Sequence, residues 1–250
     1  DMATAQTIAQ KFVADKVDII LAIATPTAQA AANATTRLPI LITAVTDPQA
    51  AGLVQANDRP ATNVTGTSDL NPVAEQLGLV KQLDAKAHRV GVLYNAGETN
   101  SLVQVDLARK AAQNLGLTLV EATVSSSNEV LQAAQSLLNR VDAIYVPTDN
   151  TVVSALESVI MVAERGKLPL VVGEGDSVRR GGLISVGIDY YRLGRQTADM
   201  AVAVINGSDP ASMPIQYQKE LLLTINLRAA KAMGVQVPQA LLTGADEVIH

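Results

Sequence analysis

The chain of 250 residues carries 19 basic and 24 acidic side chains, a formal charge of −5, and 48% of its residues are hydrophobic. This length can bury one large core or two medium ones, whereas the acidic balance and the lack of a basic block argue against nucleic acid as a partner. Cysteine is absent and histidine occurs only at His88 and His250, which removes thiol nucleophiles, disulfides and nearly every histidine-based metal or nucleophile arrangement.

The predicted elements alternate short β-branched strands with longer helices, which is the pattern of βα units. With one Phe, five Tyr and no Trp, the core must consist of Ala, Val, Leu and Ile, a composition that suits parallel sheets covered by helices. In chain order the sequence predicts helix 3–15, strand 18–24, helix 27–36, strands 39–45 and 63–67, helix 72–83, strand 89–94, helix 99–115, strand 117–123, helix 127–139, strand 142–147, helix 151–165, strands 169–173 and 183–188, helix 191–206, strand 219–225 and helices 227–233 and 239–248. The longest apolar runs have six residues, so no membrane helix, which needs about 20, is predicted.

An internal sequence repeat predicts two similar lobes. The segments VDII at 17–20, LPIL at 38–41 and GL at 52–53 are repeated in the same order as VDAI at 141–144, LPLV at 168–171 and GL at 182–183. The spacing from the proline to the glycine is 13 residues in both copies. Chance similarity among βα units is the alternative, because Asp before a strand and Pro at its start are common.

The two copies differ in what precedes them. A complete βαβ segment at 89–123 comes before the second copy, whereas only the helix at 3–15 comes before the first. We therefore expect the first lobe to lack a strand, a helix and another strand at its N-terminal side, and we expect self-association if that lobe is incomplete. The predicted first lobe comprises 1–70, 190–217 and 240–250, and the second comprises 71–189 and 218–239.

Hydroxyl, amide, carboxylate and tyrosine side chains follow the predicted strands. Ligands of such sheets bind beyond the carboxyl ends of the strands, where helix N-termini also point. Helix capping is the alternative for most of these residues, because Thr, Ser, Asn and Asp are preferred at helix starts. Their shared position at one edge of both lobes favours ligand binding. The candidates are Thr25, Thr27, Thr46, Ser68 and Asp69 and, further along the chain, Tyr94, Asn100, Ser101, Thr148, Asp149, Asn150, Asp176, Asp189 and Tyr190.

Several ordered segments carry a resemblance to a known family. The segments are AIATPTAQAAAN at 22–33, TAVTDP at 43–48, NVTGTSD at 63–69, GVLYN at 91–95, YVPTDN at 145–150 and GIDYY at 187–191 with LGRQ at 193–196. They resemble the solute-binding proteins of bacterial ATP-driven (ABC) importers, in the branch linked to tryptophan and other aromatic amino acids. The resemblance covers essentially the whole chain. Compared with that family, the chain is expected to lack the opening strand, helix and strand, an export signal and the lipid-attachment cysteine.

The resemblance implies an α/β, two-lobed periplasmic-binding-protein fold of type I, with doubly wound parallel sheets and a hinge of three crossings. It further implies a periplasmic or lipid-anchored location, ABC permease subunits as partners, no cofactor, and capture of a small molecule between the lobes. The ligand is expected to be an amino acid, aromatic first and branched aliphatic next.

The resemblance also suggests roles for the candidate residues. The ligand carboxylate is expected at Thr25, Thr27, Asn100 and Ser101, where helix dipoles favour an anion. The ammonium group is expected at Asp149 or Asp189, with Asp176 third, because a desolvated cation needs a carboxylate partner. Neutral hydrogen bonds are expected from Thr46, Ser68, Thr148 and Asn150, and aromatic walls from Tyr94 and Tyr190.

Two other functions stay open at this point. An enzyme would need a nucleophile with a base, a metal cluster or a phosphate loop, and the sequence offers only carboxylates such as Asp149 and Glu174. The effector domain of a transcription regulator shares the two-lobed architecture, but no helix-turn-helix or basic arm is present in this chain. A binding protein without enzymatic activity is therefore the favoured prediction.

Overall fold

The computed structural model describes residues 2–250 and shows an α/β chain that divides into two compact units. Unit 1 consists of the residues up to Leu70 together with Asp189–Glu220, and unit 2 consists of Asn71–Ile188 together with Leu221–His250. The chain thus crosses between the units three times.

The helices and strands have the following bounds. The strands are β1 (Ile20–Ile23), β2 (Ile40–Val45), β3 (Val64–Ser68), β4 (Arg89–Asn95), β5 (Thr118–Val124), β6 (Ala143–Val146), β7 (Leu170–Val172), β8 (Ile184–Gly187), β9 (Gln216–Tyr217), β10 (Leu222–Asn226) and β11 (Glu247–Ile249). The α-helices are α1 (Met2–Ala14), α2 (Thr25–Ala34), α3 (Val73–Leu83), α4 (Thr99–Leu115), α5 (Val130–Ser136), α6 (Asn150–Ser154), α7 (Leu156–Gly166), α8 (Gly175–Arg180), α9 (Tyr190–Ile205), α10 (Leu227–Met233) and α11 (Gln239–Gly244). Short 3-10 helices occupy Ser127–Glu129 and Pro210–Ser212.

Unit 1 contains a parallel sheet in the order β1-β2-β3-β9. One face packs on α2, where Ala28 and Ala31 join the core of Ile40 and Ile42, and the other packs on α9, where Met200 meets Leu41. The register between β2 and β3 shifts between Ile42 and Val45. At this irregularity Ala44 has a φ of 53°.

Gly66 lies in β3 beside the shifted segment. Its φ is +145°, and a Cβ atom placed there would lie 2.1 Å from the carbonyl oxygen and 2.6 Å from the nitrogen of Ile42. Only glycine allows this backbone angle and this close approach of the two strands.

Strand β1 lies at the edge of the unit 1 sheet, and no described strand pairs with its outer side. Its side chains alternate, so that Ile20 and Ala22 are buried whereas Leu21 and Ile23 are 60% and 66% exposed. A groove with a volume of about 370 Å³ runs between β1 and α1 and includes Ile8 and Phe12 in its lining. An unpaired strand edge with apolar side chains is a surface on which other chains can pair.

Unit 2 contains a sheet in the order β11-β10-β8-β7-β6-β4-β5, in which β10 runs antiparallel to β8 and the other pairs are parallel. Tyr145 of β6 is fully buried, and its hydroxyl donates to Oε1 of Gln76 at 2.6 Å. The Gln76 amide in turn donates to the carbonyl oxygens of Gly173 and Val186. This network ties α3 to the sheet.

The first two segments of the predicted repeat lead into β1 and β2 in unit 1 and into β6 and β7 in unit 2. The third segment differs, because Gly182 and Leu183 directly precede β8 whereas Gly52 and Leu53 lie in a turn before β3. Strands β1, β2 and β3 in unit 1 match β6, β7 and β8 in unit 2, in sequence order and in adjacency. The α/β class and the parallel pairing of these strands are confirmed.

Some predicted elements and boundaries differ from the structure. The helix predicted at 239–248 ends at Gly244, and β11 then pairs with β10, with Glu247 opposite Thr224. Residues 240–250 therefore belong to unit 2 and not, as predicted, to the first lobe, because strand pairing outweighs the local helical pattern. Residues 218–220 belong to unit 1. Helix α8 was not predicted. None of the helices described within residues 2–250 has the length and apolar character needed to cross a membrane.

Candidate functional site

The carboxyl edge of the unit 2 sheet holds a network of polar side chains at the starts of α4 and α6. We call it the acidic cluster, and it consists of Glu98, Asn100, Ser101, Asp149 and Asn150. Four of the five side chains are at least nine-tenths buried, and Asn150 is exposed. None of the ion pairs found among the described residues includes Glu98 or Asp149. The two carboxylates of the cluster thus have no cationic partner within residues 2–250.

Glu98 connects the two helix starts. Its Oε2 accepts from the backbone nitrogen and the Nδ2 of Asn150 at 3.1 and 2.6 Å. Its Oε1 accepts from the backbone nitrogen and the hydroxyl of Thr151 at 3.0 and 2.7 Å. Sequence reasoning assigned no role to Glu98. Glutamate is not a preferred residue at the position just before a helix, and this could have signalled that its carboxylate has partners elsewhere.

Asp149 is fully buried and caps α6. Its Oδ1 accepts from the backbone nitrogen of Val152 at 2.7 Å, and its Oδ2 accepts from the backbone nitrogen of Asn95 at 2.6 Å and the hydroxyl of Ser101 at 2.5 Å. Burial, and then the charge of Glu98, raise the pKa of the Asp149 carboxyl. The capping alternative thus applies to Asp149, and its contact with a ligand ammonium stays a prediction.

Asn100 and Ser101 form the first turn of α4. The Asn100 Nδ2 donates to the carbonyl oxygen of Thr148 at 3.1 Å, and its Oδ1 is buried without a hydrogen-bond donor. The Ser101 hydroxyl donates its hydrogen bond to Oδ2 of Asp149. Of these two candidates, Asn100 has an unused hydrogen-bonding atom.

The other candidates of unit 2 lie in different surroundings. The Tyr94 hydroxyl donates to Glu121 Oε2 at 2.7 Å, and burial and this carboxylate raise the pKa of the phenol. The Thr148 hydroxyl donates to Gln104 Oε1 at 2.9 Å. Asp176 is exposed and forms an ion pair with Arg179 at 2.5 Å. Each of these side chains has a protein partner, and their ligand contacts stay predictions.

In unit 1, the start of α2 has an unusual backbone and an unpaired hydroxyl. Ala24, just before the helix, has φ 73° and ψ 153°, a region that is essentially restricted to glycine, and it provides no side-chain cap. Thr25 is 2% exposed, and its Oγ1 has no hydrogen-bond partner. Thr27 is exposed, and its hydroxyl donates back to the carbonyl oxygen of Ala24 at 2.9 Å. Backbone strain of this kind costs about 1–3 kcal/mol and is found mostly at functional sites.

The remaining candidates of unit 1 meet around a buried carboxylate. Asp69 accepts from the hydroxyls of Thr46 at 3.0 Å and Tyr190 at 2.8 Å. Burial raises the pKa of Asp69, although these two hydrogen bonds oppose the shift. The Ser68 hydroxyl donates to the Thr46 carbonyl oxygen at 2.7 Å. The structure therefore brings these four predicted residues together.

Asp189 begins α9. It accepts from the backbone nitrogens of Tyr191 and Arg192 at 2.9 and 3.1 Å, and its Oδ2 lies 3.4 Å from Nε of Arg192. Asp189 is thus a helix cap with a cationic neighbour, and its predicted contact with an ammonium group stays a prediction. Among residues 2–250, no group of three or more His, Asp or Glu side chains could hold a metal ion.

Comparison with known proteins identifies the family. The sequence model for ABC transporter substrate-binding proteins matches residues 1–249. The chain belongs to this family. A tyrosine-binding protein of Clostridioides difficile (strain R20291) is 45% identical over 236 residues, which are 94% of this chain and 68% of the relative.

Two solved structures are similar to this substrate-binding protein. An ABC domain from Streptococcus pneumoniae in complex with L-Trp has a TM-score of 0.96 at 37% identity, over 100% of this chain and 84% of the other. A conserved domain protein from Vibrio cholerae has a TM-score of 0.97 at 41% identity, over 99% and 84% of the two chains. The family predicted from the ordered segments is confirmed.

Proposed function

We propose that this substrate-binding protein binds an aromatic amino acid, tyrosine or tryptophan first, and passes it unchanged to the permease subunits of an ABC importer outside the cytoplasm. The relatives named for tyrosine and solved with L-Trp support the ligand class. The observation that carries the proposal is that two of the buried polar atoms without a hydrogen-bond partner among the described residues belong to candidate ligand residues, Thr25 Oγ1 in unit 1 and Asn100 Oδ1 in unit 2. Both atoms lie in the first turn of a helix that follows a parallel strand, where sequence analysis placed ligand contacts.

The start of α2 suits a carboxylate. The first N–H groups of a helix have no partner within it, and the helix dipole favours an anion there. The Thr25 hydroxyl adds a donor that the protein does not use. A buried polar group without a partner costs about 1–3 kcal/mol, and a ligand carboxylate would remove that cost.

A thermal-shift screen of the common amino acids tests the proposed function. A ligand at about 100 times its Kd stabilises the native state by roughly 2.7 kcal/mol, which corresponds to about 5–10 °C for a protein of this size. We expect tyrosine and tryptophan to give the largest shifts, with branched aliphatic amino acids next. A flat response to all amino acids, with a shift from a sugar or nucleoside, would refute the ligand class. Mass spectrometry of the amino acid recovered after incubation should show no chemical change.

Replacing Thr25 by Val should separate binding from folding. Valine keeps the shape and removes a hydroxyl that has no partner in the protein, so we expect the unfolding free energy of the ligand-free protein to stay the same or rise by about 1 kcal/mol. The affinity for the amino acid should fall by roughly 10-fold. Urea unfolding and calorimetry measure the two quantities. Thr36→Val, at an exposed position just beyond α2, is the control and should change neither. Unchanged affinity in Thr25→Val would remove Thr25 from the site.

Self-association stays a prediction from sequence. The surface that it would use is the free edge of β1, where Leu21 and Ile23 are exposed.

A further inference from the structure

The side-chain amide of Asn100 has a fixed orientation within the acidic cluster. Its Nδ2 lies 3.2 Å from Glu98 Oε2, 3.3 Å from Ser101 Oγ and 3.1 Å from the Thr148 carbonyl oxygen. A rotated amide would place Oδ1 against a carboxylate and a carbonyl, neither of which can donate. The Nδ2 group is therefore used within unit 2, and Oδ1 is the atom that stays available.

The Oδ1 atom of Asn100 can only accept a hydrogen bond. The residue is 96% buried, with 4% of its surface exposed, and Oδ1 has no donor among the described residues. The neighbouring side chains are the carboxylate of Glu98 and, through Ser101, the carboxylate of Asp149. Neither carboxylate forms an ion pair with a described cation. An unused acceptor in negative surroundings suits a cationic donor and disfavours an anion.

We propose that Asn100 accepts a hydrogen bond from the ammonium group of the amino acid through Oδ1, and that Glu98 is a positioning residue that holds the Asn100 amide in this orientation. The inference rests on the proposed function, because it assigns one part of the ligand to one atom. It replaces the role suggested by the family resemblance, in which Asn100 would bind the carboxylate.

Glu98 acts through its geometry. Its Oε2 accepts hydrogen bonds from Asn100 Nδ2 and from the backbone and side-chain nitrogens of Asn150. Its Oε1 accepts from the backbone nitrogen and the hydroxyl of Thr151. The same carboxylate thus fixes the amide and ties the start of α4 to the start of α6. Its charge also makes the surroundings of Oδ1 more favourable for an ammonium group.

Three probes that differ by one group distinguish an ammonium contact from a carboxylate contact. They are L-tyrosine, 3-(4-hydroxyphenyl)propionate, which lacks the ammonium group, and tyramine, which lacks the carboxylate. For Asn100→Ala we expect the affinity for L-tyrosine to fall about 10- to 100-fold, the range for a hydrogen bond to a charged group. Tyramine should lose a similar factor, whereas the affinity for the propionate should change less than about twofold. Competition calorimetry on the whole chain measures all three.

The control substitution lies in the same helix, α4. Asn114→Ala removes an exposed asparagine from α4 and should leave all three affinities unchanged. If Asn100→Ala weakens the propionate and spares tyramine, Asn100 binds the carboxylate and the inference is wrong. An equal loss for all three probes, or no loss for L-tyrosine, would also overturn it.

Glu98→Gln tests the positioning role. Glutamine keeps the size of the side chain but turns one acceptor into a donor, which conflicts with the donors around it. We expect a loss of about 10-fold for L-tyrosine and tyramine with little change for the propionate, whereas a purely structural role would weaken the three probes equally. If the wild-type protein binds L-tyrosine and this selectivity is absent, the inference fails while the proposed function stands. If the wild-type protein binds no amino acid, the proposed function fails first.

Discussion

Replacing Gly66 by Ala should destabilise unit 1 by about 4 kcal/mol, because two costs of roughly 1–3 kcal/mol each add at this position. One is the left-handed φ of +145°, and the other is a Cβ atom only 2.1 Å from the Ile42 carbonyl oxygen. The obstructing atoms belong to the backbone of β2, so no side-chain rotation can relieve the contact. This loss is comparable to the whole stability of a typical domain, about 5–15 kcal/mol.

Hydrogen exchange locates this effect, and a second glycine provides the control. Amides of β1, β2 and β3 should lose protection in Gly66→Ala, whereas those of β6 should keep it. Gly194→Ala is the matched control, because Gly194 lies inside α9 of the same unit and an added Cβ would meet nothing within 4 Å. That substitution should stabilise unit 1 by about 0.5–1 kcal/mol. Equal stability of the two variants would contradict the described strand contact.

Replacing Asp149 by Ala should cost about 3–7 kcal/mol in unit 2. The helix cap on Val152 contributes about 1 kcal/mol, and the Asn95 nitrogen and the Ser101 hydroxyl would each lose their acceptor, at about 1–3 kcal/mol per group. Urea unfolding measures the loss. Asp106→Ala, which removes an exposed carboxylate of α4, is the control and should change the unfolding free energy by less than about 0.5 kcal/mol. A similarly small effect of Asp149→Ala would mean that these hydrogen bonds contribute nothing to folding.

The stability of unit 2 should also depend on the protonation of Asp149. Its pKa is raised in the folded protein, so the folded state holds this proton more tightly than the unfolded state does. The resulting stabilisation is present below the unfolded pKa of about 3.9 and is lost as the pH rises through the folded pKa. Urea unfolding at successive pH values measures this loss.

Local sequence signals predicted most of the elements but not every pairing. Helix α4 has the bounds that the sequence predicts, 99–115. The six-residue helix α8 and the three-residue strand β11 were missed because they are too short for a periodic pattern. The assignment of 240–250 depended on a partner strand that lies more than 20 residues away along the chain, and no local pattern encodes that choice.

The sequence predicted the position of the candidate site in the fold better than the roles of its individual side chains. Parallel strands place their carboxyl ends at one edge, so the candidate residues could be read from the strand ends. The partners of Glu98 could not be predicted from local sequence, because they lie 52 and 53 residues further along the chain. The orientation of the Asn100 amide likewise depends in part on the carbonyl oxygen of Thr148, which lies 48 residues further along the chain.

The interleaving of the two units sets the order in which a growing chain can complete them. Strands β1 to β3 are synthesised before α9, because the α9 residues that cover Leu41, such as Met200, follow about 160 residues later. Unit 2 likewise includes β10 and β11, which are synthesised only when the chain reaches residues 222–226 and 247–249. Contacts of such long sequence separation slow folding, because the intervening loop must be closed first. Neither unit can therefore complete its core before the segment from Asp189 onward has been synthesised.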